Sequence, residues 1–409
     1  MRARRGLTEG RRSLFIKRDN ATQRYRYPSF LFIMLPTMSM IYDTVIIGGG
    51  LSGLLVARYI EGFSPAKTWQ LVEARSKLGG RLENDIGGQK IDLGGAWIWP
   101  HHQPRISSLV KSLVGVKTFT QPDDPSSTRI RGGAAAIVRR VADDLPNDNI
   151  RTNSPVVACT RIPQRQGNDT TCATDGDSST HTIRVELASG ETLEARNVVL
   201  AAPPRLVSQH IRFDPPLSND KQKAMDQSQT WMAGVTKVAL VYNEPRFWPL
   251  SVSNGGLRPG PNRPAFQFYD GSPEEDSGAS AITFFTLAGL SSAAANDDKM
   301  LAKHCAEQLA SHLSSHGQTY VPDVVIGKLK EFDQYYVKRW PNEKYISEDD
   351  NPQGINPHPE PVPALARAEW DGQLLFAGTE CDLRSPGVME GAVGAAMRVF
   401  DELKKAWKE

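Results

Sequence analysis

A chain of 409 residues is long enough for two domains with sizeable cores, and its 39% hydrophobic and 23% charged residues are those of an ordinary soluble globular protein. The formal net charge of +2 hides a split: residues 1–40 carry nine Lys/Arg against Glu9 and Asp19, a net of +7, which leaves the remainder at −5. The body is therefore mildly acidic, and nothing in it resembles a nucleic-acid-binding stripe.

Four cysteines (Cys159, Cys172, Cys305, Cys381) are scattered without CxxC spacing, which argues against a disulfide scaffold or a zinc site and makes a reducing, cytoplasmic setting the expectation. No apolar run approaches the roughly 18 residues of a membrane helix; the stretch from Phe30 to Leu35 is far too short. The basic leader 1–40, expected to be disordered, has two readings. One is a mitochondrial-type targeting segment. The other is an upstream extension without a structural role, since Met34, Met38 and Met40 all stand just before the first strand.

In chain order, Asp43–Ile47 is an apolar, β-branched run that predicts a buried strand, Leu51–Ile60 has helical periodicity, and Trp69–Glu73 is the next strand. Together they make a βαβ unit of about 30 residues. Val156–Thr160, Thr182–Leu187 and Thr192–Leu200 predict a meander, with the polar stretch Arg161–Thr180 as an exposed hairpin extension. Val235–Tyr242 and Ala281–Leu287 follow as strands and Lys299–His316 as a helix. The proline-rich Asp349–Pro363 reads as a loop, Leu374–Ala377 as a strand and Met389–Lys405 as the closing helix.

Glycine-rich turns sit at both ends of this series. Gly48-x-Gly50-x-x-Gly53 joins the first strand to the first helix: one glycine for the tight turn, one for backbone approach to a pyrophosphate, one for close helix–strand packing. The helix N-terminus offers free N–H groups to phosphates. Glu73, 20 residues past Gly53 at the end of the next strand, is placed to accept hydrogen bonds from ribose hydroxyls. Gly79-Gly80-Arg81 adds a close backbone approach and a cation able to neutralise a phosphate. The second turn comprises Gly378-Thr-Glu380 and Pro386-Gly387-Val388-Met389-Glu390-Gly391-Ala392. Two such segments more than 300 residues apart suggest one long, extended cofactor.

These residues carry a resemblance. Glu73-Ala-Arg75-Ser-Lys-Leu-Gly79-Gly80-Arg81, Asp92-Leu-Gly94-Gly95-Ala96-Trp97, the Val198–Pro204 segment, Trp231–Lys237 with Asn243–Trp248, and the second glycine turn together resemble the flavin-containing amine oxidase family, in blocks across residues 42–400. The resemblance implies an α/β fold with a discontinuous Rossmann-like FAD-binding domain (41–117, 128–226 and 350–409) and a smaller mixed-sheet substrate domain (227–349). It implies a cofactor site of Gly48, Gly50, Ser52 and Gly53 at the pyrophosphate, Glu73 and Arg75 at the adenosine ribose side, and Gly80, Arg81, Gly95, Ala96 and Trp97 toward phosphate and flavin. Val157 would meet the adenine, Gly378 and Glu380 the ribityl chain, and Val388, Met389 and Ala392 the flavin pyrimidine edge, where a helix N-terminus stabilises negative charge. Lys237 is the catalytic candidate: in the family the matching lysine holds a water near the flavin and assists reaction with oxygen. A lysine inside an apolar strand is otherwise costly to bury.

Three departures concern the substrate side. The family encloses amines between two aromatic rings; here Val388 stands at one position and Asp349 or Asp350 at the other. No cysteine lies between Cys305 and Cys381 where some members tether FAD, so non-covalent FAD is expected. A helical insertion of roughly a hundred residues in the family is reduced to the short stretch between Leu113 and Arg129. The cavity roof is then missing or much reduced, which leaves the flavin more open to solvent or covered by a second subunit of a homodimer; the alternative is a damaged gene model. The acidic loop Glu348–Asp350 and His358 read more readily as solvated loop residues than as site residues. The leading expectation is FAD-dependent oxidation of a small-molecule amine with oxygen as acceptor. The alternatives are an FAD enzyme of a non-amine metabolite and a flavin-binding protein with little turnover.

Overall fold

The computed structural model describes residues 40–86, 89–121, 123–163, 181–273, 278–287, 297–315, 320–347 and 358–407. The basic leader, most of the Arg161–Thr180 stretch and the acidic loop at Asp349 and Asp350 lie outside the described residues. Among the described residues no helix is long and apolar enough to cross a membrane.

The chain enters through β1 (Ile41–Ile47), α1 (Leu51–Phe63) and β2 (Trp69–Val72), the βαβ unit that the periodicity predicts. A short pair β3 (Asp85–Ile86) and β4 (Gln89–Lys90) follows, then β5 (Trp97–Ile98), α2 (Pro104–Ser112), β6 (Thr118–Gln121) and β7 (Asp124–Ile130). After α3 (Ala135–Asp143) come β8 (Ile150–Arg151), β9 (Val156–Pro163), β10 (His181–Leu187) and β11 (Thr192–Leu200). Next are α4 (Pro204–His210), β12 (Arg212–Asp214) and α5 (Asn219–Gln227). The strands β13 (Val235–Tyr242), β14 (Asn254–Gly256), β15 (Ala265–Asp270) and β16 (Ser280–Leu287) precede α6 (Asp298–Ser315), α7 (Asp323–Lys328) and β17 (Gln334–Arg339). The chain closes with α8 (Pro363–Ala366), β18 (Leu374–Phe376) and α9 (Met389–Ala406).

The first sheet has eight strands in the order β12-β9-β10-β11-β1-β2-β8, with β18 on the C-terminal half of β11. Its centre is parallel: β1 pairs with both β2 and β11, and β11 with β18. Parallel strands must be covered on both faces, and they are. One face packs on Leu54, Leu55 and Ile60 of α1 and on Val399 and Leu403 of α9; the other closes over Val198, Leu200, Ile183 and Val185. Each fully buried branched side chain contributes about 1.5–3 kcal/mol relative to exposure. The C-terminal strand and helix are thus held against the N-terminal βαβ unit, which brings the two glycine turns to the same end of the sheet.

The second sheet has five antiparallel strands, β14-β15-β16-β13-β17. Period-two alternation decides its faces. Val238, Leu240 and Tyr242 of β13, Phe268 of β15 and Phe284 of β16 pack on Leu301, Cys305 and Leu309 of α6. The alternate positions, Val235, Tyr269 and Phe285, turn to the opposite face beside Trp97. Lys237 belongs to that opposite face, directly across from Phe285 on β16 and Lys338 on β17.

A third sheet, β5-β7-β6, occupies the stretch where the family insertion is reduced. No strand or helix periodicity marks this stretch in the sequence. The structure makes it a hairpin paired edge-on to Trp97–Ile98. Arg129 fastens it to the second sheet by donating to the carbonyls of Asp270 (3.2 Å), Gly271 (3.3 Å) and Ser272 (2.9 Å).

Candidate active site

At the first glycine turn, Gly48 has φ of +112°, which an L side chain rarely adopts, and a Cβ at Gly53 would lie 2.0 Å from the Gly48 carbonyl oxygen. Gly48 is needed for the turn and Gly53 for the contact. Gly50 differs from both: a Cβ there would meet nothing within 4 Å, so the backbone borders open space. The helix that starts beyond it has no side-chain cap and no acid in its first turn, so its leading N–H groups are left for an anion. Residues 79–80 close on the same turn, with Gly79 donating to the Gly49 carbonyl at 2.9 Å.

Glu73 is buried and accepts from the Gly49 N–H at 2.6 Å and the Arg75 N–H at 2.8 Å. Its carboxylate therefore shapes the turn as well as bordering the space inside it. Arg75 is committed elsewhere: its guanidinium reaches the Gly80 carbonyl (3.0 Å), Glu83 (3.2 Å) and Glu343 (3.1 Å). Burial alone would raise the Glu83 carboxyl, but Lys77 and Lys338 outweigh it and hold it below its usual range.

The second turn shows the same economy. Glu390, in the first turn of α9, does not cap its own helix. It reaches back to accept from the N–H groups of Arg105 (3.1 Å) and Ile106 (2.9 Å) and so caps α2. Val388 offers α9 no side-chain cap. Glu380 is almost wholly buried with both carboxylate oxygens lacking a properly directed hydrogen bond. Arg81 Nη1 stands 2.7 Å from Oε1, close enough for an ion pair but poorly angled for a hydrogen bond. A buried carboxylate in that state has capacity for hydroxyl donors.

These elements border one cavity of about 660 Å³, within the range typical of cofactor and small-molecule sites. Of the predicted site residues, Gly48, Gly50, Ser52, Glu73, Arg75, Gly80, Arg81, Gly95, Ala96, Trp97, Lys237, Gly378, Val388, Met389 and Ala392 all line it. Gly53 lies behind the turn and Glu380 behind Arg81. Val157, on β9, is half-buried and does not reach the wall.

Lys237 is buried without a carboxylate in hydrogen-bond contact. Its Nζ donates to the Gly94 carbonyl (2.7 Å) and to the Tyr269 hydroxyl (3.2 Å), which itself donates to the Asp92 carbonyl (3.1 Å). Rings of Phe285, Tyr269 and Trp97 stand 4.7, 5.3 and 5.6 Å from the nitrogen. Burial pushes its pKa down to about 7; the Asp92 carboxylate pulls it up and Arg129 pushes it further down. Burial likewise raises the Asp92 carboxyl, against Arg129 at 3.7 Å. Tyr269 and Arg129 were not singled out in the sequence. The alternation that puts Tyr269 on the cavity face is its one sequence signal.

Val388 does line the cavity without a ring, yet the wall is aromatic. Trp99, Trp231, Phe266, Trp340 and Tyr345 border it from other elements. Where a reduced roof is expected, the hairpin tip supplies wall: Gln121, Asp123, Asp124 and Ser127 all border the space. His358 is exposed, its ring 5.0 Å from that of Trp231.

Comparison with known proteins places the chain in a family. The family described as flavin containing amine oxidoreductase matches residues 119–403, and the NAD(P)-binding Rossmann-like domain matches 46–113. An amine oxidase [flavin-containing] of Danio rerio is 39% identical over 89 residues, 21% of this chain and 16% of that protein. Amine oxidase [flavin-containing] B of Sus scrofa is 26% identical over 290 residues, 67% of this chain and 46% of that one. The matches thus span less than half the length of these curated relatives. A putrescine oxidase solved with putrescine bound superposes with a TM-score of 0.63 at 18% identity, covering 90% of this chain and all of that one, a likeness of fold. With the family match running through most of the chain, from the β6–β7 hairpin past Lys237 and the second glycine turn into α9, the chain belongs to the flavin-containing amine oxidoreductase family.

Proposed function

We propose that the protein is an FAD-dependent oxidoreductase that oxidises the C–N bond of a small-molecule amine. The observation that carries the reading is one cavity bordered at once by the uncapped first glycine turn, the second glycine turn and the buried Lys237. The residues present fit FAD: open space at Gly50, two uncapped helix N-termini and the unsatisfied carboxylate of Glu380. Gly48, Gly50 and Ser52 would hold the pyrophosphate, Glu73 the ribose, Arg81 backed by Glu380 the ribityl side, and the α9 N-terminus the pyrimidine edge. FAD bound there would accept a hydride equivalent from the substrate carbon and pass the electrons to oxygen.

The chain's own contribution is to position and to exclude water. The aromatic wall takes the apolar part of the substrate. Lys237, titrating near 7, holds or releases a proton at Nζ within the physiological range and assists reoxidation. FAD is held without a covalent bond. The described cysteines, Cys159, Cys305 and Cys381, are all buried away from the cavity wall, and burial pushes the thiols of Cys159 and Cys381 up to about 12.

The test is anaerobic mixing of the FAD-loaded protein with a panel of amines, amino acids and polyamines. Bleaching of the flavin absorbance by an amine is expected. Bleaching by a non-amine alone, or by nothing, would overturn the reading.

A further inference from the structure

We propose that Arg129, on the β6–β7 hairpin and outside the cavity wall, governs whether Lys237 carries a proton: it neutralises the Asp92 carboxylate, which would otherwise serve as the counter-ion of that lysine. The inference deepens the proposed reading and rests on it only for the part Lys237 takes in flavin reoxidation, not for the proton itself. Neither Arg129 nor Asp92 borders the cavity, so both act through Lys237 as positioning residues.

The groups are joined in a closed circuit of buried residues. Lys237 Nζ donates to the Tyr269 hydroxyl (3.2 Å), and Tyr269 donates to the Asp92 carbonyl (3.1 Å). The Asp92 carboxylate stands 3.7 Å from Arg129 Nη2, and Arg129 Nη1 donates to the carbonyl of Asp270 (3.2 Å), the residue next to Tyr269. The carboxylate is only half used: Oδ1 accepts from the Ala134 N–H (2.7 Å), while Oδ2 is buried with no hydrogen bond. Such an oxygen is stabilised by whichever cation stands nearest, and the cation described within ion-pair distance of it is Arg129. Lys237 is bonded as a neutral amine would be. The Gly94 carbonyl (2.7 Å) and the Tyr269 hydroxyl match two N–H groups, and the third N–H of an ammonium has no described protein acceptor.

The charge balance accounts for this. A guanidinium keeps its proton throughout the accessible pH range. Arg129 and an ionised Asp92 therefore cancel, and an ammonium at Lys237 would be an uncompensated buried charge. Burial pushes the lysine down to about 7, and Asp92 and Arg129 act on it with opposite signs. The other facing groups are committed elsewhere. Lys338 lies directly across from Lys237 on β17, but it is paired with Glu83 (3.0 Å) and Glu343. Burial foremost raises the Tyr269 phenol and keeps it protonated. Asp270 turns its carboxylate to Arg246 (3.5 Å) and Trp248. Asp123 and Asp124 border the cavity from the hairpin tip and bond to Gln121 and Asn254, and to Ser126. Asp92 is thus the carboxylate whose partner decides the state of Lys237.

The experiment uses the FAD-loaded full chain, isotopically labelled at lysine Cε. An NMR pH titration, with the Lys237 signal assigned by its loss in Lys237→Met, reads the midpoint, near 7 in the wild type. Stopped-flow reoxidation of the dithionite-reduced flavin gives the rate profile over the same pH range. In Arg129→Gln the Asp92 carboxylate is freed to pair with Lys237, and the midpoint is expected to rise by roughly one pH unit or more. In Asp92→Asn, which keeps an acceptor for the Ala134 N–H, the guanidinium is left unopposed and the midpoint is expected to fall by a similar amount. Arg129→Lys, which retains the charge, should return it toward the wild-type value. The opposite signs separate this role from a loosened fold, since entry of water would move both variants up toward the ordinary lysine value of roughly 10.4. Midpoints that both rise, or that do not move, would overturn the inference. Should Arg129→Gln fail to retain FAD, the fall in Asp92→Asn decides. Shifted midpoints with unchanged reoxidation profiles would keep the control of the proton and remove Lys237 from reoxidation. Shifted midpoints without bleaching by any amine would keep the inference and overturn the proposed activity; unmoved midpoints with bleaching by an amine would do the reverse.

Discussion

Replacing Lys237 by Met keeps length and volume and removes the proton. Folded Lys237 titrates at about 7 because burial disfavours the ammonium, whereas an unfolded lysine keeps its proton to roughly 10.4. Between those values the unfolded chain binds more protons than the folded one, so this group's contribution to stability rises with pH; below about 7 the burial penalty is fully present. Each pH unit inside the window is about 1.4 kcal/mol, giving a ceiling of about 4–5 kcal/mol across it and about 3 kcal/mol between pH 7 and 9. At pH 7 the folded group is itself about half protonated, which trims the gain, so about 2 kcal/mol is expected. Urea denaturation at pH 6, 7, 8 and 9 with a fixed excess of FAD reads it as the difference between wild type and Lys237→Met. The wild type should gain on the variant by about that amount over the series. Parallel stability curves would refute the claim that the lysine is neutralised by burial.

Three further outcomes follow from the site. Gly53→Ala places a Cβ against the Gly48 carbonyl, where backbone must shift, and should lower the yield of FAD-loaded protein severely, read from the absorbance ratio after gel filtration. Glu380→Gln removes the buried charge facing Arg81 and should weaken FAD retention by roughly tenfold or more, measured by equilibrium dialysis; unchanged affinity would take Glu380 out of the site. Acid precipitation should release all of the flavin to the supernatant, and colour retained in the pellet would contradict non-covalent binding.

The first glycine turn was legible because its chemistry is local. The spacing of Gly48, Gly50 and Gly53, and an acid at Glu73, are dictated by one turn and one strand; Gly48, Gly50 and Glu73 border the cavity and Gly53 packs against the Gly48 carbonyl. Lys237 was legible for a related reason: a charge in an all-apolar strand demands an explanation, and β13 is buried along its whole length. The surroundings of Lys237 were not legible, because they are assembled across the fold. Tyr269 and Phe285 reach Lys237 only through the register of three strands, and Asp123 finds Asn254 131 residues away. The stretch 118–130 carries mostly polar residues with no strand periodicity. It forms a hairpin because β5 offers an open edge and Arg129 finds three carbonyls, contacts that no local pattern announces. Aromatic rings absent at the positions the family would use are supplied from elsewhere, as Trp99, Trp231 and Tyr345 show.

The central claim is that one cavity takes FAD from the first glycine turn to Lys237. A crystal structure of the FAD-loaded protein tests it most directly. The account predicts density for the pyrophosphate against Gly48, Gly50 and the α1 N-terminus, with the flavin ring at the Lys237 end; FAD density outside this cavity, or running away from Lys237, would contradict it.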